Sequence, residues 1–351
     1  MKTTVLDVPG WQKVTLFEDP ASGLRAIVSV HDTALGPACG GCRVFPYASV
    51  EEGLADVNTL ARGMTYKNAL GGIPFGGGKC VVFADPHTDK TPAMMRALGR
   101  AIDGLDGLYY TAEDSGMSEA DIATIREVTP YAAGMSQSGI GGNPSPFTAR
   151  GVWRGIEAAV RHRMNGRSLD GLTVGILGVG AVGMALAGHL HQAGATLIVA
   201  DVNEDALTRA KRDFGAEIVS VDAIYDAPMD VFAPCALGGS INPETVQRLN
   251  AQVIAGAANN QLAEPQMGTI LHERTILYAP DYVVNAAGVI SVGLEILGEW
   301  TDAGLTARID GIGETLDHLF QRAAAEDRPT HEIADLMAQD VIRRGGARRT
   351  A

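Results

Sequence analysis

The sequence lacks long apolar runs and basic blocks, and each absence excludes a class of partner. No run approaches the ~18 apolar residues that a membrane-spanning helix needs, and the start, MKTTVLDVPGWQ, has no apolar signal core. The net charge of the 351 residues is -13, and the short ARR near the C-terminus is the only basic block. We therefore expect a cytoplasmic protein that binds neither nucleic acid nor membranes.

Patterns typical of metal sites are equally scarce. The four cysteines include one CxxC pair, Cys39 and Cys42, and no second pair supplies the other ligands of a structural zinc site. The eight histidines contain no HExxH spacing, and His189 and His191 would face different ways on a helix. The sequence thus predicts reduced thiols and no metal site.

What the chain does contain predicts two folded domains. Hydrophobic residues make up 46% and charged residues 20%, which is typical of a well-cored soluble protein, and the chain is long for a single core. The glycine-, serine- and proline-rich segment GMSQSGIGGNPSPF (134–147) is the best candidate for a hinge between domains. After it, short helices and strands alternate, which indicates a parallel α/β sheet.

The first half of the chain predicts a mixture of strands and helices. Strands are expected over 12–18, 24–31 and 80–84. Ser49 and Glu52 have the spacing of a capping box, so a helix should begin there and run to about Leu70.

Two lysines stand out in the stretch GMTYKNALGGIPFGGGKC (63–80). Lys67 continues the apolar stripe of the predicted helix, and Lys79 follows three glycines at the start of a predicted strand. Because burying an unpaired ammonium group is unfavourable, a lysine in such surroundings usually captures an anion or takes part in acid/base chemistry. A carboxylate such as Asp114 can then shuttle the proton. The alternative is that both lysines are ordinary surface residues and that Asp114 caps the next helix.

A dinucleotide-binding motif lies in the second half of the chain. The predicted strand Thr173–Leu177 runs into Gly178, Gly180 and Gly183, then into a helix and a second strand that ends at Asp201. The glycines allow a tight turn and close approach of a pyrophosphate, and the acid stands where it would meet the ribose 2′-hydroxyl. An acid there disfavours a 2′-phosphate, so NAD is expected over NADP. The alternative is a glycine-rich turn that binds nothing.

Seven motifs carry a further signal: LGPACGGCR (35–43), RGMTYKNALGGIPFGGGKCVV (62–82), YTAEDSG (110–116), GVGAVG (178–183), FAPCALGG (232–239), GAANNQL (256–262) and YAPDYVVNAAGVISV (278–292). In these motifs the chain resembles the Glu/Leu/Phe/Val amino-acid dehydrogenase family over nearly its whole length, and is most similar to the leucine and valine dehydrogenases.

The resemblance implies a two-domain α/β fold. An N-terminal α/β substrate domain would span 1–135 and a Rossmann-fold NAD-binding domain 136–327, with the active site in the cleft between them. A C-terminal helix at about 328–351 would pack back on the first domain. A homo-oligomer is also implied.

The resemblance also implies roles for single residues. Lys67 would bind the substrate carboxylate with the backbone of Gly40 and Gly41, Lys79 would activate water, and Asp114 would be its proton-transfer partner. The remaining contacts would come from Ala181 and Val182 in the glycine motif, from Thr148, Ala236, Ala258 and Asn259 around the nicotinamide, and from Asn260 at the substrate amine.

The implied reaction is the reversible oxidative deamination of an L-amino acid to a 2-oxo acid and ammonia. The side-chain pocket would be formed by Cys39, Ala112, Val289 and Val292. Glutamate enzymes carry a lysine where Cys39 stands, so an acidic substrate is disfavoured, and Ala112 with Val292 favours leucine, valine or isoleucine. Leucine-type enzymes carry a larger leucine at the Cys39 position, so a deeper pocket could also admit phenylalanine, methionine or tryptophan.

Three other functions remain open at this stage. An aromatic amino-acid dehydrogenase would use the same scaffold. A non-catalytic NAD-sensing protein would need none of the acid/base residues, and a hydroxy-acid dehydrogenase would more naturally use histidine and arginine.

Overall fold

The computed structural model describes residues 1–135 and 144–349, so residues 136–143 of the predicted hinge lie outside the described part. Within these two ranges, none of the helices combines the length and apolar character that a membrane span requires. The chain divides into two compact units. Unit 1 comprises Met1–Gly142, Val289–Asp302 and Ala338–Ala351, and unit 2 comprises Asn143–Gly288 and Ala303–Met337.

Unit 1 is built on a six-stranded mixed sheet with the strand order β1-β2-β3-β5-β4-β6. β1 pairs antiparallel with β2, β2 with β3, and β3 with β5, whereas β4 pairs parallel with both β5 and β6. The strands are β1 (Lys2–Leu6), β2 (Lys13–Asp19), β3 (Leu24–Asp32), β4 (Ala38–Phe45), β5 (Gly76–Phe83) and β6 (Tyr109–Glu113), and the helices among them are α1 (Val50–Leu70), α2 (Pro92–Asp103) and α3 (Glu119–Arg126).

The first helix of unit 1 begins and ends where its sequence predicts. The Ser49 hydroxyl accepts a hydrogen bond from the Glu52 backbone N–H, and Gly71 is the C-cap of α1. The Glu52 carboxylate bonds the backbone N–H of Ala48, one residue before the N-cap. The first interaction satisfies a donor that the helix N-terminus leaves unpaired, and the second fixes the segment that enters the helix.

Apolar residues cover both faces of this sheet. One cluster packs α2 and α3 against it through residues such as Leu98, Ile102 and Ile122, which are fully buried. The other face carries a smaller cluster that includes Ile27, Val57 and Val81. The central strands β3, β4 and β5 are therefore buried on both sides and are held rigidly.

Unit 2 contains a six-stranded parallel sheet with the order β12-β11-β10-β7-β8-β9. β7, the first strand of unit 2 in chain order, lies at the centre of the sheet. The later strands are added first on one side of it and then on the other, which is the topology of a doubly wound dinucleotide-binding fold. The predicted α/β class, with an N-terminal α/β domain and a Rossmann-type domain, is confirmed. The strands are β7 (Thr173–Leu177), β8 (Thr196–Ala200), β9 (Glu217–Ile218), β10 (Val231–Pro234), β11 (Val253–Ile254) and β12 (Leu277–Tyr278).

Helices connect these strands, and four more follow the last strand. A short 3-10 helix covers Ala223–Asp226, and a core that includes Ile224, Phe232 and Leu271 packs on the sheet. The helices are α4 (Ser145–Arg163), α5 (Ala181–Gln192), α6 (Glu204–Phe214), α7 (Thr245–Arg248), α8 (Pro265–Glu273), α9 (Asp281–Val284), α10 (Ala287–Leu297), α11 (Asp302–Glu326) and α12 (Thr330–Arg349).

Candidate active site

The centre of unit 1 brings three strands unusually close together. A side chain on Gly40 of β4 would place its Cβ 1.9 Å from the Gly78 carbonyl oxygen of β5. A Cβ on Gly41 would lie 2.7 Å from the carbonyl oxygen of Glu113, the last residue of β6. Only glycine allows this approach. The backbone of Gly40 and Gly41 is therefore buried between β5, which carries Lys79, and β6, which directly precedes Asp114.

Lys79 and Asp114 meet at this point. Cys42 of β4 pairs in register with Cys80 on one side and with Glu113 on the other, which brings the neighbouring residues Lys79 and Asp114 together. The Lys79 Nζ lies 2.7 Å from the Asp114 Oδ2, and only 6% of Lys79 is exposed. A buried ammonium group needs such a partner, because desolvation strongly disfavours an unpaired charge.

The charges around Asp114 stabilise its ionised form. Burial alone would raise the pKa of the Asp114 carboxyl, but the positive charges of Lys79 and Arg43, with hydrogen bonds from Lys79 and the Ser115 backbone, lower it below the ordinary aspartate value. The turn that carries Asp114 is also fixed. The Val44 N–H donates to the Ser115 carbonyl at 2.9 Å, and the Lys90 ammonium donates to the Gly116 carbonyl at 2.7 Å.

Lys67 lies in the last turn of α1 and is half-buried. The next residue, Asn68, is fully buried and donates through Nδ2 to the Cys39 and Gly76 carbonyls at 3.2 and 2.6 Å. Asn68 thus ties α1 to β4 and β5. Asn68 was not among the predicted site residues, although its position beside Lys67 could have indicated it.

A second positioning residue that was not predicted is Tyr109. Its hydroxyl donates to the Gly40 carbonyl at 2.6 Å, and the ring is completely buried. The hydrogen bond fixes the orientation of the peptide group at Gly40. Tyr109 lies in a strand, and no local pattern in the sequence indicated such a role.

Residues of the predicted side-chain pocket lie on β4, β6 and α10. Cys39 and Ala112 are buried, whereas Val289 and Val292 are half-buried. A Cβ built on Gly134 would lie 3.8 Å from the Ala112 Cβ and 3.9 Å from a Val292 methyl carbon, so these three residues come together. Burial raises the pKa of the Cys39 thiol to about 12 against the opposing effect of the Lys79 charge, so this thiol stays neutral.

The glycine motif of unit 2 forms the predicted turn between β7 and α5. Gly178 has a φ of 98°, and a Cβ on Gly183 would lie 2.0 Å from the Gly178 carbonyl oxygen. A Cβ on Gly180 would meet no described atom within 4 Å, so space is open beside the turn. Ala181 begins α5 with no side-chain cap, which leaves the first amides of the helix available to an anion.

Asp201 lies directly after β8 and beside this turn. Its carboxylate accepts hydrogen bonds from the Val179 N–H at 2.7 Å and the Asn203 N–H at 2.9 Å. Val182 is half-buried in the first turn of α5. Open space, free helix amides and a carboxylate at the end of the second strand together fit a nicotinamide dinucleotide.

The other predicted cofactor residues of unit 2 lie on two loops and one helix. Ala236 packs on the glycine turn, since its Cβ would be 2.8 Å from a Cβ on Gly178. The Ala258 N–H donates to the Pro234 carbonyl at 2.9 Å, and the Asn259 Oδ1 accepts from the Asn285 side chain at 2.8 Å. Thr148, the last of the predicted cofactor residues, is half-buried in the first turn of α4. Asn260, which was predicted to face the substrate amine, follows Asn259, and its carbonyl accepts a hydrogen bond from the Gly239 N–H at 2.7 Å.

Two family models match the chain. Residues 12–131 match the family model described as Glu/Leu/Phe/Val dehydrogenase, dimerisation domain. Residues 200–342 match the model described as Glutamate/Leucine/Phenylalanine/Valine dehydrogenase. Members of this family are dehydrogenases that use a nicotinamide cofactor.

Individual relatives extend over almost the whole chain. Leucine dehydrogenase of Geobacillus stearothermophilus is 48% identical over 95% of this chain and 90% of its own length. The crystal structure of L-tryptophan dehydrogenase from Nostoc punctiforme is 39% identical, with a TM-score of 0.85 over 96% of this chain and 97% of that one. Hetero-hexameric glutamate dehydrogenase from Thermus thermophilus shares the fold at 21% identity, with a TM-score of 0.79 over 97% and 90% of the two chains. The chain belongs to the glutamate/leucine/phenylalanine/valine dehydrogenase family of amino-acid oxidoreductases.

Proposed function

We propose that the protein catalyses the NAD-dependent, reversible oxidative deamination of a branched-chain L-amino acid to the 2-oxo acid and ammonia. The observation that carries this proposal is the buried ion pair of Lys79 and Asp114, with 2.7 Å between the Lys79 Nζ and the Asp114 Oδ2. A protein that only binds a ligand does not need a buried lysine paired with a carboxylate beside a glycine-lined strand. An acid/base reaction needs both.

The substrate carboxylate is held by Lys67 and by the backbone of Gly40 and Gly41. Lys67 supplies a positive charge at the end of α1, and the glycines leave the strand backbone uncovered by side chains. Asn68 and Tyr109 fix this backbone through hydrogen bonds to the Cys39 and Gly40 carbonyls. The rigid support orients the α-carbon of the substrate before reaction.

Bound NAD supplies the chemistry of hydride abstraction from the α-carbon. The resulting imino carbon is then attacked by water, and Lys79 in its neutral form accepts the proton that the water loses. A proton must next reach the amino nitrogen, so that the C–N bond breaks and ammonia leaves with its electron pair, while the hydroxyl group loses its proton and becomes the carbonyl of the 2-oxo acid. Asp114 moves that proton, because its carboxylate lies within hydrogen-bond distance of Lys79.

The choice of NAD over NADP is supported by Asp201. Its carboxylate stands next to the glycine turn, where it would accept hydrogen bonds from a ribose and would repel a 2′-phosphate.

A branched-chain substrate is supported by the neutral, apolar character of Cys39, Ala112 and Val292. No lysine stands at position 39 to pair with an acidic side chain. The high identity to a leucine dehydrogenase supports the same choice. A second candidate, oxidation of an aromatic amino acid, is favoured by the small volume of Cys39 and by the similarity to an L-tryptophan dehydrogenase.

We further propose a homo-oligomer that works in the cytoplasm. The oligomer is supported by the match of residues 12–131 to a dimerisation domain. The compartment is supported by four free cysteines, three of them buried.

Initial rates of NAD reduction over a panel of amino acids test the proposal. Leucine, valine and isoleucine should give the highest kcat/KM, followed by methionine, phenylalanine and tryptophan, with no measurable rate for glutamate. Phenylalanine or tryptophan as the best substrate would favour the second candidate. No rate with any amino acid, and no ammonia-dependent oxidation of NADH with 2-oxo acids, would refute both.

Substitution of Lys79 tests the assigned chemistry. Lys79→Ala should lower kcat by a factor of about 10³ or more, because a general base and its charge are both removed. NADH binding, followed by fluorescence, should stay normal, and Lys2→Ala at an exposed site should retain full activity. Near-normal turnover by Lys79→Ala would show that another group activates the water.

A further inference from the structure

Asp114 has a second cationic neighbour besides Lys79. The Nε of Arg43, at the end of β4, lies 3.5 Å from the same Asp114 Oδ2 that Lys79 contacts. This separation exceeds a hydrogen bond, so Arg43 acts on Asp114 through its charge. Both side chains are only partly exposed, 26% and 23%, so water screens the interaction incompletely.

Arg43 is itself held from the side away from Asp114. Its Nη1 lies 3.0 Å from the Asp56 Oδ2 and 3.4 Å from the Asp56 Oδ1 on α1. The Tyr47 hydroxyl donates to the same carboxylate. The groups therefore form a continuous series within unit 1, in the order Tyr47, Asp56, Arg43, Asp114 and Lys79.

We propose that Arg43, oriented by Asp56 and Tyr47, is a positioning residue that controls proton exchange by the Lys79–Asp114 pair. This inference rests on the proposed function, since it takes Asp114 as the proton-transfer partner of Lys79.

The reason is the change of charge that the reaction imposes on this pair. Lys79 is neutral while it acts as the base, and without Arg43 the partly buried Asp114 carboxylate would then have no counter-ion. Arginine does not lose its proton in proteins, so Arg43 supplies a permanent positive charge at Asp114 throughout the cycle. Asp56 balances that charge when Lys79 is protonated, which keeps the four ionised groups electrically neutral.

In the described part of unit 1, the titratable groups that act on the pair include the buried Cys39 thiol, which is neutral, and groups from β4, α1 and the segment after β4. Strand β4 contributes Arg43 and the Cys42 thiol, whose pKa is raised well above the ordinary value by its hydrogen bond with Cys80 and by burial, so that it stays neutral. Helix α1 contributes Asp56 behind Arg43, and the residues after β4 contribute the Tyr47 hydroxyl. Because these charges lie close to the pair, each of them changes the free energy of moving a proton to or from it.

The test is the pH at which kcat/KM for leucine oxidation reaches half of its plateau. Arg43→Gln removes a cation, so the pair should keep its proton to a higher pH, and the midpoint should rise by about 1 pH unit. Asp56→Asn removes an anion and should move the midpoint the opposite way. Arg43→Lys keeps the charge and should restore the wild-type midpoint, although its kcat should be lower because lysine lacks the planar fork that bonds Asp56.

A matched control removes the same charge elsewhere in unit 1. Arg96 forms an exposed pair with Glu127, and Arg96→Gln should leave the midpoint unchanged. Circular dichroism of each variant verifies folding. A lowered kcat/KM with an unmoved midpoint in Arg43→Gln, or equal shifts in Arg43→Gln and Arg43→Lys, would overturn the proposal and leave Arg43 a purely structural role.

A second readout does not depend on turnover. The rate at which cyanate carbamylates Lys79, measured by peptide mass spectrometry across the same pH range, should show the same opposite shifts in Arg43→Gln and Asp56→Asn. Such shifts in a protein without dehydrogenase activity would refute the proposed function and retain the role of Arg43. Normal dehydrogenase activity with unshifted carbamylation would support the proposed function and refute the role of Arg43.

Discussion

At the scale of single residues, Asp201 has two tasks that substitutions can separate. Its charge is expected to exclude NADP, whereas its two hydrogen bonds to Val179 and Asn203 hold the glycine turn in place. Asp201→Asn removes the charge and keeps an oxygen that can accept one of these bonds. It should raise the ratio of kcat/KM for NADP to that for NAD by about tenfold or more, equivalent to ~1.4 kcal/mol.

Two further variants complete this comparison. Asp201→Ala should raise the same ratio and also weaken NAD binding, because the turn loses its acceptors. Asp213→Asn, at an exposed ion pair with Arg212, is the control and should change neither value. An unaltered cofactor ratio in both Asp201 variants would mean that another residue discriminates the ribose.

The sequence allowed some of these residues to be predicted but not others. Lys79, Asp114 and the glycines of the dinucleotide motif stand in recognisable local patterns. Arg43 stands in such a pattern too, yet its importance depends on Asp114, which lies on a strand far along the chain. That proximity arises only when β4 pairs with β6, and a pairing of distant strands leaves no local trace in the sequence.

At the scale of secondary structure, β5 begins earlier than its residues suggest. A strand was expected to start at Cys80, because glycine has a low strand propensity, but β5 begins at Gly76 and places Lys79 in its middle. A Cβ on Gly77 would lie 2.1 Å from the Thr65 backbone nitrogen of α1. Close packing of α1 therefore requires glycine there, and tertiary contacts override local propensity.

Helix α10 carries a residue that is expected to shape the side-chain pocket. The Glu295 Oε2 accepts a hydrogen bond from the Gly134 N–H at 2.8 Å, and its Oε1 lies 3.5 Å from Arg126. Gly134 is the residue that approaches Ala112 and Val292. Glu295 thus fastens one wall of the pocket to the helix that forms another.

Truncation of Glu295 should therefore alter substrate preference. Glu295→Ala leaves the Gly134 N–H without its partner, and kcat/KM for leucine should fall by about tenfold relative to a smaller amino acid such as alanine. Glu295→Gln keeps an acceptor and should behave like the wild type. Arg126→Gln removes only a partly exposed ion pair and is the control. An equal loss for all substrates in Glu295→Ala would contradict a role in the pocket wall.

At the scale of the whole molecule, the class of fold followed from pattern, whereas the course of the chain did not. The alternation of strands and helices after the hinge predicted the parallel sheet of unit 2. The return of Val289–Asp302 to unit 1 had no such signal, since α10 is a continuous apolar helix and its division between units depends on packing. The periodicity of a helix indicates which face is buried, but it does not indicate which element packs against that face.

Four histidines in both units make the stability of the protein depend on pH. Burial lowers the pKa of His31, His162, His189 and His331 below the ordinary histidine value. A group whose pKa is lower in the folded state binds protons more readily when unfolded, so stability is lost as the pH falls below the unfolded value, about 6.5. The carboxyls of Asp114, Asp121 and Asp310, whose pKa values are also lowered, act in the same direction only below about pH 3.9.

The thermal midpoint should therefore fall in two steps on acidification, first below about pH 6.5 and again below about pH 4.

His189 stacks on Trp153 with 5.2 Å between ring centroids, and His189→Phe keeps an aromatic ring without a titratable nitrogen. This variant should lose less of its thermal midpoint between pH 7 and 5 than the wild type. His87→Gln, at an exposed site, should follow the wild-type curve. A midpoint that stays constant from pH 7 to 5 in the wild type would contradict the assignment of the first step to these four histidines.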